Sequence, residues 1–156
     1  GQSVDSTMGM SVLDGLPMGT RCGSIDPGVL IFMQRELGMT LDQLENTLYK
    51  DSGLKGMSGG LSNDVKALLE SSDPKAKYAL DYFSHYIAKH IASMATSMDG
   101  IDALVFTGGI GENAGPVRDA VVGHLKYMNI PRVIVMPTNE ERYMAEQAMI
   151  LLKKKA

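Results

Sequence analysis

Residues 103–113 read Ala103-Leu104-Val105-Phe106-Thr107-Gly108-Gly109-Ile110-Gly111-Glu112-Asn113, and the architecture predicted for the chain depends on them. Its first five residues form a short and nearly unbroken apolar run, which is typical of a buried, parallel strand. The glycines that follow allow positive φ angles and let a ligand approach the main chain closely. The sequence therefore predicts a strand that ends at a glycine-rich loop.

This glycine-rich loop is a candidate binding site for a phosphate group or a nucleotide. The helix predicted after it directs unpaired N–H groups and the positive end of its dipole at the loop. Ligands of open α/β sheets also gather at the carboxyl ends of the strands. The spacing matches neither a Walker loop nor the full G-x-G-x-x-G fingerprint of dinucleotide-binding proteins. The alternative interpretation is an ordinary strand-to-helix turn.

The residues after the loop predict a second strand between two helices. Residues 114–127 have a helical pattern, residues 133–136 form a second buried apolar run, and a further helix begins at Asn139. This order is typical of an α/β layer structure with a right-handed crossover. Glu140 and Glu141 follow the second strand. They either pair with the dipole of the helix start or place one carboxylate near a magnesium ion.

The residues before residue 101 predict helices after an irregular start. Glycines and prolines interrupt any periodicity over residues 1–27. Asp26 and Pro27 predict the start of one helix, and a capping box at Thr40 predicts the start of a second. A glycine-rich loop is expected over residues 51–60.

Two more helices are expected before the first strand. Ser62 is predicted to cap a short one. Residues 74–98 form the longest periodic segment, and His85 and His90 lie off its apolar stripe, where we expect exposed or rim histidines. The stripe predicted to be buried consists of Leu80, Phe83, Ile87, Ile91, Met94 and Met98.

The composition is that of one ordinary globular domain. The chain has 156 residues, of which 44% are hydrophobic and 21% charged, and its net charge is -3. That charge argues against nucleic acid as a partner. No apolar run approaches the ~20 residues of a membrane-spanning helix, so no membrane partner is expected. Cys22 has no second cysteine to pair with, and the N-terminus has no signal-peptide layout, so we expect a cytoplasmic protein.

Two polar loops are further candidate sites. Arg21 lies between glycines, and its planar guanidinium suits a phosphate or carboxylate, although a surface arginine is the alternative. Asp64 follows Asn63 at the start of the short helix. These side chains either cap that helix or hydrogen-bond a ribose or a base.

Taken together and in order, these segments resemble acetate kinases. The resemblance extends over nearly the whole chain, and propionate and butyrate kinases share much of the pattern. It is carried by residues 1–27, by Ser52-Gly53-Leu54-Lys55-Gly56, by Leu61-Ser62-Asn63-Asp64, by Phe106-Thr107-Gly108-Gly109-Ile110-Gly111-Glu112-Asn113 and by Pro137-Thr138-Asn139-Glu140-Glu141.

The resemblance implies a reaction and a fold. Acetate kinases transfer the γ-phosphoryl group of ATP to acetate with magnesium, which gives ADP and acetyl phosphate, and they work in both directions. Their fold is that of actin and the sugar kinases, with two similar α/β domains around a cleft. Residues 1–156 then correspond to a single domain, the C-terminal nucleotide-binding portion with its ribonuclease H-like fold. The first strands of that domain and the whole N-terminal domain are absent.

The resemblance also implies roles for individual residues. Arg21 matches the catalytic arginine that stabilises the transferring phosphoryl group. Glu140 matches the magnesium carboxylate. Gly109, Ile110, Gly111, Glu112 and Asn113 match a nucleotide-binding loop. Asp64, Val65 and Lys66 match the segment that lies on the adenosine, where the family often has an aromatic residue and an arginine in place of Val65 and Lys66.

Two departures limit what the chain is expected to do alone. The acyl-binding pocket and the catalytic aspartate of the family lie in the missing portion, so we expect little or no turnover from the isolated chain. Between Tyr127 and Val133 stand only five residues, where the family inserts a longer segment. The complete enzyme is expected to be a homodimer. A non-catalytic module for nucleotide binding or dimerisation is the alternative function.

Overall fold

The chain folds into helices around a small parallel sheet. The computed structural model describes residues 2–155, without the side chains of Glu140 and of residues 153–155. Within them lie the helices α1 (Pro27–Arg35), α2 (Leu41–Lys50), α3 (Gly53–Met57), α4 (Val65–Glu70), α5 (Pro74–Ser97), α6 (Gly108–Asn113), α7 (Gly115–His124) and α8 (Glu140–Lys155), a 3₁₀ turn (Lys126–Met128), and the strands β1 (Leu104–Phe106) and β2 (Val133–Val135).

Local capping signals place the first helices where the sequence predicts them. The Asp26 carboxylate accepts a hydrogen bond from the Gly28 N–H at 2.8 Å at the start of α1. Thr40 and Gln43 form the complete capping box of α2. The predicted cap of α4 is wrong by two residues. Asp64, not Ser62, accepts the helical N–H of Ala67, while Ser62 accepts the N–H of Asp64.

The predicted loop over residues 51–60 contains the short helix α3, so that prediction is wrong. Its glycines serve close packing rather than irregular structure. The N–H groups of Leu54 and Lys55 donate to the carbonyls of Met18 and Gly19, each at 2.9 Å. Leu54 is completely buried. The irregular N-terminal segment is therefore fastened to α3 by main-chain hydrogen bonds.

Helix α5 organises the core, although its buried face differs from the predicted stripe. It packs against α3, α4 and α7. Phe83 is buried as predicted, but Leu80, Ile87 and Ile91 are only partly buried, and Met98 is half exposed. Small side chains permit close helix packing and hold the most buried positions: Ala76, Ala79, Ser84, Ala88 and Ala95.

The sheet joins β1 and β2 in parallel, and α6 and α7 connect them. Leu104, Val105 and Phe106 stand beside Val133, Ile134 and Val135. The predicted burial holds in β1 for Leu104, which is 8% exposed, but not for Val105, which is 45% exposed, and it is wrong for β2, where both valines are 46% exposed. The sheet of the described residues has two strands, and exposed valines lie on both of its faces, Val105 on one and Val133 and Val135 on the other. None of the described helices combines the length and the apolar character needed to cross a bilayer.

Candidate functional site

A cavity of about 390 Å³ lies between the start of α4 and α6. It brings together two segments that the sequence analysis selected separately, more than 40 residues apart in the chain. Its lining consists of Asp64, Val65, Lys66, Leu69, Gly109, Ile110, Asn113 and Ala114. All three residues predicted to lie on an adenosine line this cavity, together with Gly109, Ile110 and Asn113 of the predicted nucleotide loop.

The α4 wall of this cavity is anchored by a buried valine. Val65 is 5% exposed and belongs to the core. The side chains of Asp64 and Lys66 on either side of it are exposed. Asp64 uses one carboxylate oxygen to cap α4. The ion pairs among the described residues do not involve Lys66, so its ammonium group is available to a negatively charged ligand.

The opposite wall is a glycine-rich helix rather than the predicted loop. Gly108 opens it with a φ of +73°, and a Cβ on Gly108 or Gly109 would meet nothing within 4 Å. Gly109 itself lines the cavity, so the open space beside it is part of the cavity. Gly111 differs, because a Cβ there would lie 3.3 Å from the main chain of Phe106. Gly109 thus leaves room for a ligand, whereas Gly111 permits packing against the end of β1.

The carboxylate of Glu112, a residue of the predicted nucleotide loop, is hydrogen-bonded to groups that do not line the cavity. Its Oε1 accepts hydrogen bonds from the N–H of Gly108 at 3.0 Å and from the N–H and hydroxyl of Thr138 at 2.8 and 3.0 Å. These hydrogen bonds hold the pKa of the Glu112 carboxyl below its ordinary value, and the bonds from Thr138 have the largest effect. Glu112 and Gly111 do not line the cavity.

Three residues around the site, Thr107, Thr138 and Arg118, were not among the predicted site residues. Thr138 contacts Gly108 and Thr107 through its hydroxyl, at 2.8 and 2.6 Å. Arg118, on α7, donates from Nη1 to the carbonyl oxygens of Gly111 and Glu112, both at 2.9 Å. Thr138 could have been found from the sequence, because it follows the second predicted strand, where ligands of α/β sheets gather. Arg118 stands at an ordinary helical position, and no local pattern marks it.

Arg21 lies outside the cavity, on a loop that adjoins it. The loop packs so closely that a Cβ on Gly19 would lie 2.8 Å from the carbonyl oxygen of Asn63, the residue before Asp64. Arg21 is half-buried, and its Nη1 lies 3.7 Å from the sulfur of Met18. Among the described residues it has no carboxylate partner. Its guanidinium charge is therefore not neutralised by an ion pair within that part of the chain.

Glu140 is the first residue of α8, directly beyond the loop that contains Thr138. Its side chain is not among the parts that the structure describes, so its contact with magnesium stays a prediction. Across the described part of the chain, no three acidic, histidine or cysteine side chains are grouped as a metal cage. Magnesium commonly uses one or two carboxylates together with substrate phosphates and water. Near the strand ends, the Glu112 carboxylate and the hydroxyls of Thr107 and Thr138 are hydrogen-bonded to one another rather than grouped around an open position.

The chain matches one protein family over most of its length. The sequence model of the Acetokinase family matches residues 1–150. An acetate kinase of Nitrobacter hamburgensis is 41% identical over 172 aligned positions, which cover 97% of this chain and 42% of that protein. An acetate kinase of Rhodopseudomonas palustris strain TIE-1 is 45% identical over 129 positions, or 83% of this chain and 32% of that protein. The chain thus spans less than half the length of these relatives.

The longer alignment is relevant to the short connection before β2. Its 172 positions outnumber the 156 residues of the chain, so the Nitrobacter protein contains residues that have no counterpart here. A shortened connection between Tyr127 and Val133 would leave such a surplus, as would a shorter segment elsewhere in the chain.

Solved structures show the same likeness. An acetate kinase from Porphyromonas gingivalis superimposes with a TM-score of 0.86 at 32% identity, covering 94% of this chain and 43% of that one. A propionate kinase from Francisella tularensis superimposes with a TM-score of 0.81 at 37% identity, covering 86% of this chain and 40% of that one.

Proposed function

The chain belongs to the acetokinase family, and from that membership we propose that it is the C-terminal, nucleotide-binding portion of an acetate kinase. The complete enzyme would transfer the γ-phosphoryl group of ATP to acetate, giving ADP and acetyl phosphate. Residues 1–156 would form one domain of the actin-like and sugar-kinase fold, without the first strands of its ribonuclease H-like sheet. The two-stranded, half-exposed sheet supports this arrangement.

One observation carries the proposal: the cavity between α4 and α6 unites both predicted nucleotide segments. The adenosine would lie along Asp64, Val65 and Lys66, with the phosphates toward Gly109 and Asn113. The wall has an aliphatic Val65 and a lysine rather than an aromatic residue and an arginine. Base stacking and planar contacts to the nucleotide are therefore expected to be weak, and we expect weak binding of ADP or ATP.

Two further residues, Arg21 and Glu140, would act on the phosphoryl group. Arg21 has no competing carboxylate among the described residues and would stabilise the charge that develops during transfer. Glu140 would hold magnesium, which neutralises phosphate charge when it is bound. Neither residue supplies an acceptor site. Since phosphoryl transfer depends on positioning the acceptor, the isolated chain would have little or no activity.

The acyl acceptor could also be propionate, because a propionate kinase is among the similar structures. Hydrophobic pockets discriminate one methylene group by only about 1–3 kcal/mol. The residues assigned here are proposed to contact the nucleotide, the phosphoryl group and magnesium, and none is assigned to the acyl chain. In either case we propose a cytoplasmic, dimeric complete enzyme.

Calorimetry with ADP tests the nucleotide site through two glycines. Gly109→Val would direct a branched side chain into the open space of the cavity, so binding should fall at least about tenfold. Gly123→Val is the matched control, because it also lies on a helix with nothing within 4 Å of its Cβ, but outside the cavity. Equal ADP affinity for the two variants would contradict the proposed site.

A further inference from the structure

A single carboxylate oxygen links the two loops at the ends of the strands. Oε1 of Glu112 accepts from Gly108, at the end of β1, and twice from Thr138, after β2. The last ladder bond of the sheet joins the N–H of Met136 to the carbonyl of Phe106 at 2.9 Å. The Glu112 contacts therefore continue the pairing of the two chain segments beyond the point where the strands end.

Glu112, Gly108, Thr107 and Thr138 form one hydrogen-bonded cluster. The ionisation of the Glu112 carboxylate determines which group donates in each of its bonds. An ionised carboxylate only accepts, so the Thr138 hydroxyl must donate its proton to Glu112. The Thr138 oxygen is then left as an acceptor for the N–H of Gly108 and for the hydroxyl of Thr107. The cluster is thus a directed chain from Thr107 through Thr138 to Glu112. Replacing the carboxylate removes the acceptor that orients it.

The main chain of Glu112 is held as well. Arg118 donates from one guanidinium nitrogen to the carbonyls of Gly111 and Glu112, each at 2.9 Å. Turning the carboxylate toward the cavity would break three hydrogen bonds to Gly108 and Thr138. Charge-assisted bonds of this kind are roughly twice as strong as neutral ones. The position of Glu112 is therefore set from both sides.

We infer that Glu112 is a positioning residue rather than a nucleotide ligand. Its carboxylate holds the segment that leads into α8 and Glu140 in place against the first glycine of α6, the helix that lines the cavity. The functional consequence rests on the proposed function: a nucleotide on α6 and a magnesium ion near Glu140 would be kept in a constant relative position. Loss of Glu112 would then weaken ADP binding more in the presence of magnesium than in its absence.

Hydrogen exchange of individual amides in the ligand-free chain tests the positioning role. In Glu112→Ala the Thr138 amide should exchange about tenfold faster, as expected on losing a hydrogen bond to a charged acceptor. Glu112→Gln keeps an oxygen acceptor of the same reach and should restore part of the protection. Asp119→Ala, which removes an exposed carboxylate from α7, is the control and should leave the Thr138 amide unchanged.

Thr138→Val provides a second test that leaves Glu112 in place. It removes only the hydroxyl, so the Gly108 amide loses one of its two acceptors and should exchange faster. This variant decides the matter if Glu112→Ala fails to fold. An unchanged Gly108 amide in Thr138→Val together with an unchanged Thr138 amide in Glu112→Gln would overturn the inference.

Calorimetry with ADP, with and without magnesium, separates this inference from the proposed function. If Glu112→Ala weakens ADP binding while the Thr138 amide stays protected, Glu112 is a ligand and the inference is overturned. If the wild-type chain binds no ADP but the amides respond as expected, the positioning role stands and the proposed function fails.

Discussion

Gly53 lies directly against Met18: a Cβ on Gly53 would be only 2.1 Å from the Met18 carbonyl oxygen. The same Cβ would lie 2.7 Å from the carbonyl oxygen of Arg21, and Gly53 has a φ of +60°. The carbonyl of Met18 also accepts the N–H of Leu54. This contact fastens the loop that carries Arg21 to α3.

Replacing Gly53 should therefore lower the free energy of unfolding by more than the strain of a positive φ angle alone, because the added Cβ would also clash with the Met18 carbonyl oxygen. Gly38→Ala is the matched control, because Gly38 has a φ of +64° with nothing within 4 Å of its Cβ. We expect Gly38→Ala to lower the free energy of unfolding by about 1 kcal/mol and Gly53→Ala by at least about twice that. Urea denaturation measures both. Equal losses would mean that the close approach to Met18 contributes nothing.

The helix starts were predictable because they depend on residues that are close in sequence. Asp26 and the pair Thr40 and Gln43 cap their helices through side chains within three positions. The helices α3 and α6 were missed because glycines predict loops when only local propensity is considered. Tertiary contacts decide otherwise, since Leu54 bonds to Met18 and Glu112 caps the Gly108 N–H.

The site was predictable in its segments but not in its side-chain directions. The positions of Asp64 and Gly109 after turns and strands predict that they meet a ligand, and both line one cavity. Whether Glu112 points into that cavity depends on Thr138, which lies 26 residues away. No local pattern encodes that partner. The predicted burial was right for Leu104 but wrong for Val105 and for the valines of β2, because an apolar run does not indicate which of its side chains the other elements cover.

Acid should destabilise the chain partly through Glu112. Its pKa is lowered from the ordinary value of 4.5, so the ionised group contributes stability that is fully present above that value. This contribution is lost as the pH falls through the lowered pKa. Glu112→Gln removes the titration, so its melting temperature should converge with that of the wild type at acid pH. Thermal scans between neutral pH and pH ~3 compare them; a constant difference across that range would contradict the role of the charge.

Arg21 should affect catalysis rather than binding or folding. The expected loss in kcat for Arg21→Ala is ~10²–10³-fold, since the interaction is made with charge that develops in the transition state. Arg21→Lys should restore little, because lysine lacks the planar fork. Steady-state kinetics on an acetate kinase of full family length that carries this chain provides the measurement. A near-normal kcat for Arg21→Ala would make it a surface arginine.

Glu140 and its neighbour Glu141 form a matched pair for testing the magnesium role. Both begin α8, so both suit the dipole of the helix start. Only Glu140→Ala should raise the magnesium concentration needed for half-maximal activity and slow turnover, since a carboxylate ligand is lost. Titration of magnesium in the full-length enzyme compares the two variants. The same response from Glu141→Ala would indicate a general charge effect at the helix start.

Backbone amide NMR during titration with ADP reports which residues a bound nucleotide contacts, and so tests the proposed nucleotide site between α4 and α6. A second cavity of about 330 Å³ lies between α4, α5 and α7, so the chain offers an alternative location. We expect the shifts to concentrate at Asp64–Lys66 and at Gly109–Asn113 together. Shifts confined to the second cavity, near Leu80 and Val117, or no shifts at millimolar ADP, would contradict it.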